Sequence, residues 1–249
     1  MNDISEDGAI CGLDGCSTNP TTPTPQKSAP AKTGQVHDLT VVSDVICPWC
    51  FVAKKNLNKA LELAGTELQI AITWRPYELN PSMPKEGMER REYRSKKFGS
   101  WENSQALDAQ VAEAGARVGI VFRHDLITRT PNTFQAHRLI WLVQQEGLQD
   151  LVVEALFRAY FTEGRDVGDT SVLIELATEA GLNSERVTAF LYGSSGTDEV
   201  RLEVHTAMSR GISGVPTFII DGEEVFSGAM KPDLMAARLR KMMLAHEKR

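Results

Sequence analysis

Two cysteines three residues apart, Cys47-Pro48-Trp49-Cys50, stand where a hydrophobic strand pattern gives way to a helical one. The preceding stretch, Leu39 to Ile46, is rich in β-branched residues and predicts a strand. From Phe51 to Leu63, apolar or small residues recur at helical spacing with no internal glycine or proline. At a helix start, the unpaired N–H groups and the positive end of the peptide dipole stabilise a thiolate on the first cysteine. The second sulfur, one turn along, is close enough to close a disulfide back onto it. The pair therefore calls for a fold that puts a redox centre at a β-to-α junction.

The rest of the chain supplies the elements around that junction. Glu67 to Arg75 alternates polar and apolar residues and predicts a second strand, with Leu68, Ile70, Ile72 and Trp74 on one face and Pro76 ending it. From about Met88 to Met208 the pattern is helical, with segments at Glu89–Phe98, Ser104–Val118, Thr133–Gln145, Asp150–Phe161, Thr170–Ala180, Ser184–Tyr192 and Thr197–Arg210. Asp169 or Thr170 and Asn183 or Ser184 are cap candidates, and Gly181 ends a helix between them. Strands return at Pro216–Ile220 and Glu223–Phe226 around the turn signal Asp221-Gly222. A last helix from Pro232 to about His246 is expected to carry Leu234, Leu239, Met242 and Met243 on its apolar side.

Composition excludes several classes. A chain of 249 residues, 42% hydrophobic, can build one large core or one domain with a sizeable insertion. A formal net charge of −6 argues against a general affinity for nucleic acid or anionic membranes. No apolar run approaches the roughly 20 residues that span a bilayer, and the acidic start Met1–Asp7 lacks the features of a secretory signal. The expectation is a soluble cytoplasmic protein. Four cysteines in so long a chain do not make a structural disulfide framework, and in a reducing compartment paired cysteines are more often catalytic, redox-sensing or metal-binding. Residues 1–36 read as a flexible tail, Pro/Thr-rich from Asn19 to Ala31, and too poor in large apolar residues to fold alone.

The resulting order is β-α-β, a long helical block, then β-β-α, which matches an α/β thioredoxin fold with a large all-helical insertion. The expected division is 37–80 and 211–249 for the thioredoxin-fold domain and 81–210 for the insertion. Gly214-Val215-Pro216-Thr217 stands directly before the first hairpin strand, where that fold has a cis-proline facing its Cys-X-X-Cys. A cis bond is cheap only before proline, and it leaves the preceding main-chain groups free to pair with an extended substrate. The motifs Val42–Cys50, Trp74–Pro81, Asn132–His137, Ala159–Gly164 and Gly211–Phe218 occur in order. Together they are similar to the FrnE-like branch of the DsbA superfamily of dithiol–disulfide oxidoreductases and isomerases, over about residues 38–245.

Chemistry can then be assigned as expectation. Cys47 is the nucleophile that attacks a substrate disulfide, and Cys50 is the resolving thiol. The alternative, half of a zinc site, lacks a second Cys-X-X-Cys or a suitably spaced Cys/His pair. Pro48-Trp49 adds no charge, so a moderate reductant, isomerase or exchanger is expected rather than a very strong oxidant. Trp49, Val215 and Pro216 are the substrate-binding candidates, Val215 through main-chain groups alone. Exposed apolar Trp49 and Phe51 would suit protein or peptide thiols and disulfides as partners. Asp44 either modulates the thiolate or relays protons to Cys50, or is a solvated loop or capping carboxylate. His137 is a hydrogen-bonded packing residue or a base, and Asn132-Thr133 caps its helix. The resemblance places that segment near the redox site.

No tightly bound cofactor or metal is expected. The resemblance extends to glutathione-using branches in which the stretch matching Ser227-Gly228 helps hold glutathione; a plain turn is the other reading. Those branches have serine at the first motif position and lack the second cysteine, so two cysteines favour redox chemistry, with glutathione as a co-substrate and thioredoxin or glutathione as recycling systems. On the tail, Cys11 and Cys16 form a second candidate redox pair. A linker of about 20 residues would give it an r.m.s. reach of about 25 Å, enough to shuttle disulfides to Cys47; a soft-metal pair or an inert tail are the alternatives.

Overall fold

The structure, a computed structural model, describes residues 36–65 and 69–246. Cys11 and Cys16, with the rest of the expected tail up to residue 35, lie outside the described residues, as do Glu67 and Leu68. A four-stranded sheet carries the fold: β1 (His37–Ser43), β2 (Ile70–Pro76), β5 (Thr217–Ile220) and β6 (Glu223–Ser227), in the order β2-β1-β5-β6. β1 and β2 run parallel, joined by helix α1 (Pro48–Ala64); β5 is antiparallel to β1 and to β6. The turn between β5 and β6 falls on Asp221-Gly222, with φ of 48° and 88°, the left-handed pair that a tight two-residue hairpin requires. Asp221 also reaches across the sheet, its carboxylate accepting from Asp38 N at 3.0 Å and lying 2.7 Å from His37 Nδ1.

Helix α1 packs against the last helix, α9 (Pro232–His246), and Asn56 pins the pair by donating to Met230 O at 2.9 Å. On α9 the buried residues are Met235, Ala236, Leu239 and Met243, whereas Leu234, expected on the apolar side, is 57% exposed. Helical spacing admits both stripes, and packing on α1 selects the one that starts a residue later.

Between β2 and β5 come two tiny strands and seven α-helices among the described residues, with a single 3-10 turn at Gln144–Glu146. They are β3 (Met88–Glu89), α2 (Arg90–Phe98), α3 (Trp101–Ala116), β4 (Arg129–Thr130), α4 (Phe134–Leu142), α5 (Gln149–Glu163), α6 (Thr170–Glu179), α7 (Ser184–Tyr192) and α8 (Thr197–Ser209). The β3–β4 ladder inside the expected all-helical block has no period-2 signature, because two residues per strand are too few to show one. Helix α3 begins at Trp101, earlier than the spacing suggests, because Ser100 caps it by accepting from Asn103 N at 3.1 Å. The expected caps Asp169 and Asn183 accept from Ser171 N and Arg186 N, each at 2.8 Å. At α4 the cap bond comes from Asn132, whose Oδ1 accepts from Phe134 N at 3.0 Å, while Thr133 makes none.

The helical block is fused to the sheet through one core. Leu39 and Val41 of β1, Leu57 of α1, Leu156 and Phe157 of α5, and Leu239 of α9 belong to a single buried cluster. At the outer edge of the sheet, Gln149 on α5 imitates a neighbouring strand. Its Oε1 accepts from Trp74 N at 3.0 Å and its Nε2 donates to Trp74 O at 3.2 Å, so part of the open edge of β2 is paired by a side chain.

Candidate active site

The strand expected to run to Ile46 stops at Ser43, and the chain turns so that Cys47 N donates to Asp44 O at 3.0 Å. Cys47 is the cap residue of α1, with extended φ and ψ of −88° and 111° and no side-chain cap bond. Pro48 takes the first helical position, where its missing N–H costs nothing and its fixed φ suits the helix. Cys50 N and Phe51 N close the first turn onto Cys47 O at 3.0 and 3.4 Å. The Cys47 sulfur thus sits at the end of α1 where helix N–H groups are unpaired. Both cysteines are free thiols and both are buried, Cys50 the more so at 1% exposure against 5%. Burial pushes the Cys50 thiol well above its ordinary value, and the hydrogen bond and charge of Cys47 push the same way. The Ser43 hydroxyl and the Asp44 main chain oppose the shift. The inner cysteine therefore holds its proton more tightly than an ordinary thiol does.

The Val215–Pro216 peptide is cis, and the Cys47 thiol donates to Val215 O at 3.5 Å. The loop is held from behind. Gly228 N donates to Pro216 O at 2.8 Å, and Thr217 Oγ1 donates to Gly214 O at 2.8 Å while lying 2.9 Å from Ser227 Oγ. Cys47, Cys50, Val215 and Pro216 are thus brought together from opposite ends of the chain. Trp49 stands beside them, 39% exposed on the first turn of α1. Phe51, expected to be exposed, is 2% exposed: its ring stacks on Phe157 at 5.3 Å and meets Phe122 edge-on at 6.0 Å. The helical block covers it, which a local pattern could not reveal.

Asp44 is completely buried, so the solvated reading fails, and its carboxylate caps no helix. It accepts from Leu79 N at 2.7 Å and, more weakly, from Ile46 N at 3.4 Å. His137, buried on α4, has Nε2 at 3.0 Å from Tyr77 O and 3.5 Å from Asp44 Oδ1. A carbonyl can only accept, so Nε2 carries the hydrogen. Asp44 and His137 therefore tie the turn before Cys47 to the loop after β2 and to α4. Glu78, in that loop, has its carboxyl pushed up by burial, with the His137 charge opposing and Asp44 adding.

Sequence reasoning missed Ser43, Leu79 and a group of cations on α2. Ile46 and Pro48, which flank Cys47, line a cavity of about 90 Å³ together with Arg90, Arg94 and Lys97. A charge-rich helix such as α2 reads as a solvated face, and only folding shows which of its charges turn inward.

A Cys-X-X-Cys pair at the start of the first helix of a β-α-β…β-β-α sheet, opposite a cis-proline, defines a thioredoxin-fold redox protein. The chain belongs to the DSBA-like thioredoxin domain family, whose profile matches residues 38–240, and at the family level it is a thiol–disulfide oxidoreductase. The uncharacterised protein YwbO of Bacillus subtilis is 28% identical over 200 residues, 80% of this chain and 93% of YwbO. Among solved structures, a Streptomyces coelicolor protein described as a probable DsbA oxidoreductase superposes with a TM-score of 0.74 at 31% identity, covering 82% of this chain and 89% of that one. The cytosolic disulfide reductase DsbM of Pseudomonas aeruginosa shares the fold, with a TM-score of 0.61 at 21% identity over 84% of this chain and 99% of its own. Among the described residues no helix is long and apolar enough to cross a membrane.

Proposed function

We propose that the protein is a dithiol–disulfide oxidoreductase or isomerase of the FrnE-like branch, exchanging disulfides with protein or peptide thiols through Cys47 and Cys50. The observation that carries this reading is the Cys47 sulfur at the open end of α1, 3.5 Å from the carbonyl before a cis-proline. The Cys47 thiolate attacks a substrate disulfide, forming a mixed disulfide and releasing one substrate thiolate. Cys50 then loses its proton and attacks the Cys47 sulfur, releasing the second thiol and leaving a Cys47–Cys50 disulfide. Two electrons pass from protein to substrate, and the reverse sequence oxidises a substrate dithiol. Trp49 offers apolar contact, and Val215 and Pro216 offer main-chain and ring contact to an extended peptide.

In this reading the protein works in the cytoplasm, holds no tight cofactor, and uses glutathione as a co-substrate, with a glutathione or thioredoxin system recycling it. DsbM has been solved with glutathione, which supports a small thiol as the exchange partner in this fold. The test is insulin disulfide reduction driven by dithiothreitol. Cys47→Ala is expected to lose turnover, and Cys50→Ala to accumulate a mixed disulfide on Cys47. Equal turnover in Cys47→Ala would overturn the assignment and favour a partner-binding role for the helical block.

A further inference from the structure

The cavity bordered by Ile46 and Pro48 is positively charged and incompletely paired. Its cations come from α2, which presents Arg90, Arg94 and Lys97, and no carboxylate is among the residues lining it. From behind, Asp108 on α3 takes one bond from each arginine, Arg90 Nη2 to Oδ2 and Arg94 Nη2 to Oδ1, both at 2.7 Å. One carboxylate thus serves two guanidiniums. Lys97 pairs with no carboxylate among the described residues; its Nζ donates to Asn80 Oδ1 at 2.9 Å and to Tyr93 OH at 2.7 Å. Three cations against one carboxylate leave a local excess of positive charge.

Buried donors point the same way. Asn80 Oδ1 accepts from Tyr93 and Lys97, while Asn80 Nδ2 is buried with no hydrogen-bond partner among the described residues. Both ring nitrogens of His124 are also buried with no hydrogen-bond partner among the described residues, Nδ1 lying 4.0 Å from Asp108 Oδ1. Burial holds this imidazole below its ordinary value, with Asp108 opposing and the two arginines adding, so it is neutral at neutral pH and offers one N–H. Unpaired buried donors are costly, and an anionic acceptor would satisfy the Asn80 Nδ2 and His124 N–H groups. The cavity holds about 90 Å³ where one water needs about 10–15 Å³, so the space fits a carboxylate and not a whole peptide. Guanidinium forks match planar carboxylates in two-bond geometry.

We propose that this cavity is a subsite for the carboxylate of a small anionic thiol or disulfide whose sulfur exchanges with Cys47. The inference rests on the Cys47/Cys50 reading and names its small co-substrate by charge. With a symmetric disulfide, Cys47 forms a mixed disulfide with one half and releases the other as a thiolate. The carboxylate of the retained half sits against α2 until Cys50 displaces its sulfur. Two thiols leave, and the protein dithiol is oxidised by two electrons.

Lys97 is exposed and can be changed without disturbing the core. Reduced protein and its Lys97→Glu variant would be mixed with glutathione disulfide, which carries carboxylates, or with cystamine, which carries ammonium groups, and acid-quenched thiols counted over time. Reversing a charge at a binding rim acts mainly on association, so the glutathione disulfide rate is expected to fall on the order of tenfold at low salt while the cystamine rate rises. In parallel, S-methylglutathione, which cannot exchange, would be titrated into both proteins; binding to the native protein and its loss in Lys97→Glu are expected. If both disulfides oxidise the protein and their rate ratio stays within about twofold of native, the subsite is overturned and the redox reading stands. If S-methylglutathione binding is lost in the variant but neither disulfide reacts with either protein, the subsite stands and the redox reading falls.

Discussion

Cys47 touches one set of groups, and its neighbours Ile46 and Pro48 border another, unlike set. The thioredoxin-fold half presents Val215 and Pro216 through main-chain atoms, with the exposed Trp49 beside them, all uncharged. The helical block presents Arg90, Arg94 and Lys97 around a small cavity. Main-chain recognition can be met by any extended chain, because every residue carries a carbonyl and all but proline an N–H. Side-chain charge is met only by a matching ligand, so it discriminates. In the proposed reading, the thioredoxin-fold half provides reactivity with broad acceptance, and the helical block adds selectivity by charge.

That contrast can be broken at four places, beginning with the largest effect. Asp108→Asn removes what is, among the described residues, the only carboxylate bonded to both arginines. A buried charge left without its partner costs about 3–5 kcal/mol, so chemical denaturation should show a loss of that order. A loss under 1 kcal/mol would mean that solvent already neutralises the cluster. On the other side of the site, Asp44→Asn leaves the buried oxygen pair only half able to accept from Leu79 N and Ile46 N, at an expected cost of about 1–3 kcal/mol. Unlike Asp108→Asn, it should also shift the Cys47/Cys50 potential measured against glutathione, because Asp44 shapes the turn before Cys47.

A third test uses pH. Cys50 has a folded-state value above that of an unfolded thiol, chiefly through burial. Below about 8.5 both states hold the proton and its stabilising contribution is complete; above that, the unfolded chain releases the proton first and stability falls by up to about 1.4 kcal/mol per pH unit. The reduced protein should show this decline in urea melts between about pH 8.5 and 10, while the oxidised protein, with no Cys50 proton, and Cys50→Ala should show much less of it. Identical slopes would place the buried proton elsewhere. The smallest effect belongs to Trp49→Ala. Stability should change by less than about 0.5 kcal/mol, as for an exposed side chain, while KM for an unfolded protein substrate rises severalfold and the rate with glutathione disulfide holds. An equal loss on both substrates would merge the two sets of groups into one.

Much of this arrangement was legible in the chain. The strand, the helix behind the cysteines and the hairpin turn at Asp221-Gly222 follow from local pattern and turn chemistry, so their positions agree with the structure to within a few residues. Ser184–Tyr192 coincides with its helix because a cap and a glycine mark both ends. Phe51 and Leu234 were misplaced for a shared reason: helical spacing identifies an apolar stripe, but the neighbour that covers it comes from distant sequence. Asp44 could be seen as close to Cys47, yet its complete burial depends on Leu79 and His137, 35 and 93 residues away.

By itself the sequence determined the Cys47/Cys50 pair, the proline that faces it and the β-α-β…β-β-α order, because each is written in adjacent residues with strong local preferences. Only the tertiary structure decided which carboxylate is buried, which aromatic is hidden and where the charges of α2 turn. Those outcomes come from packing between segments far apart in the chain, where burial changes the energy of a charge by more than any local preference does.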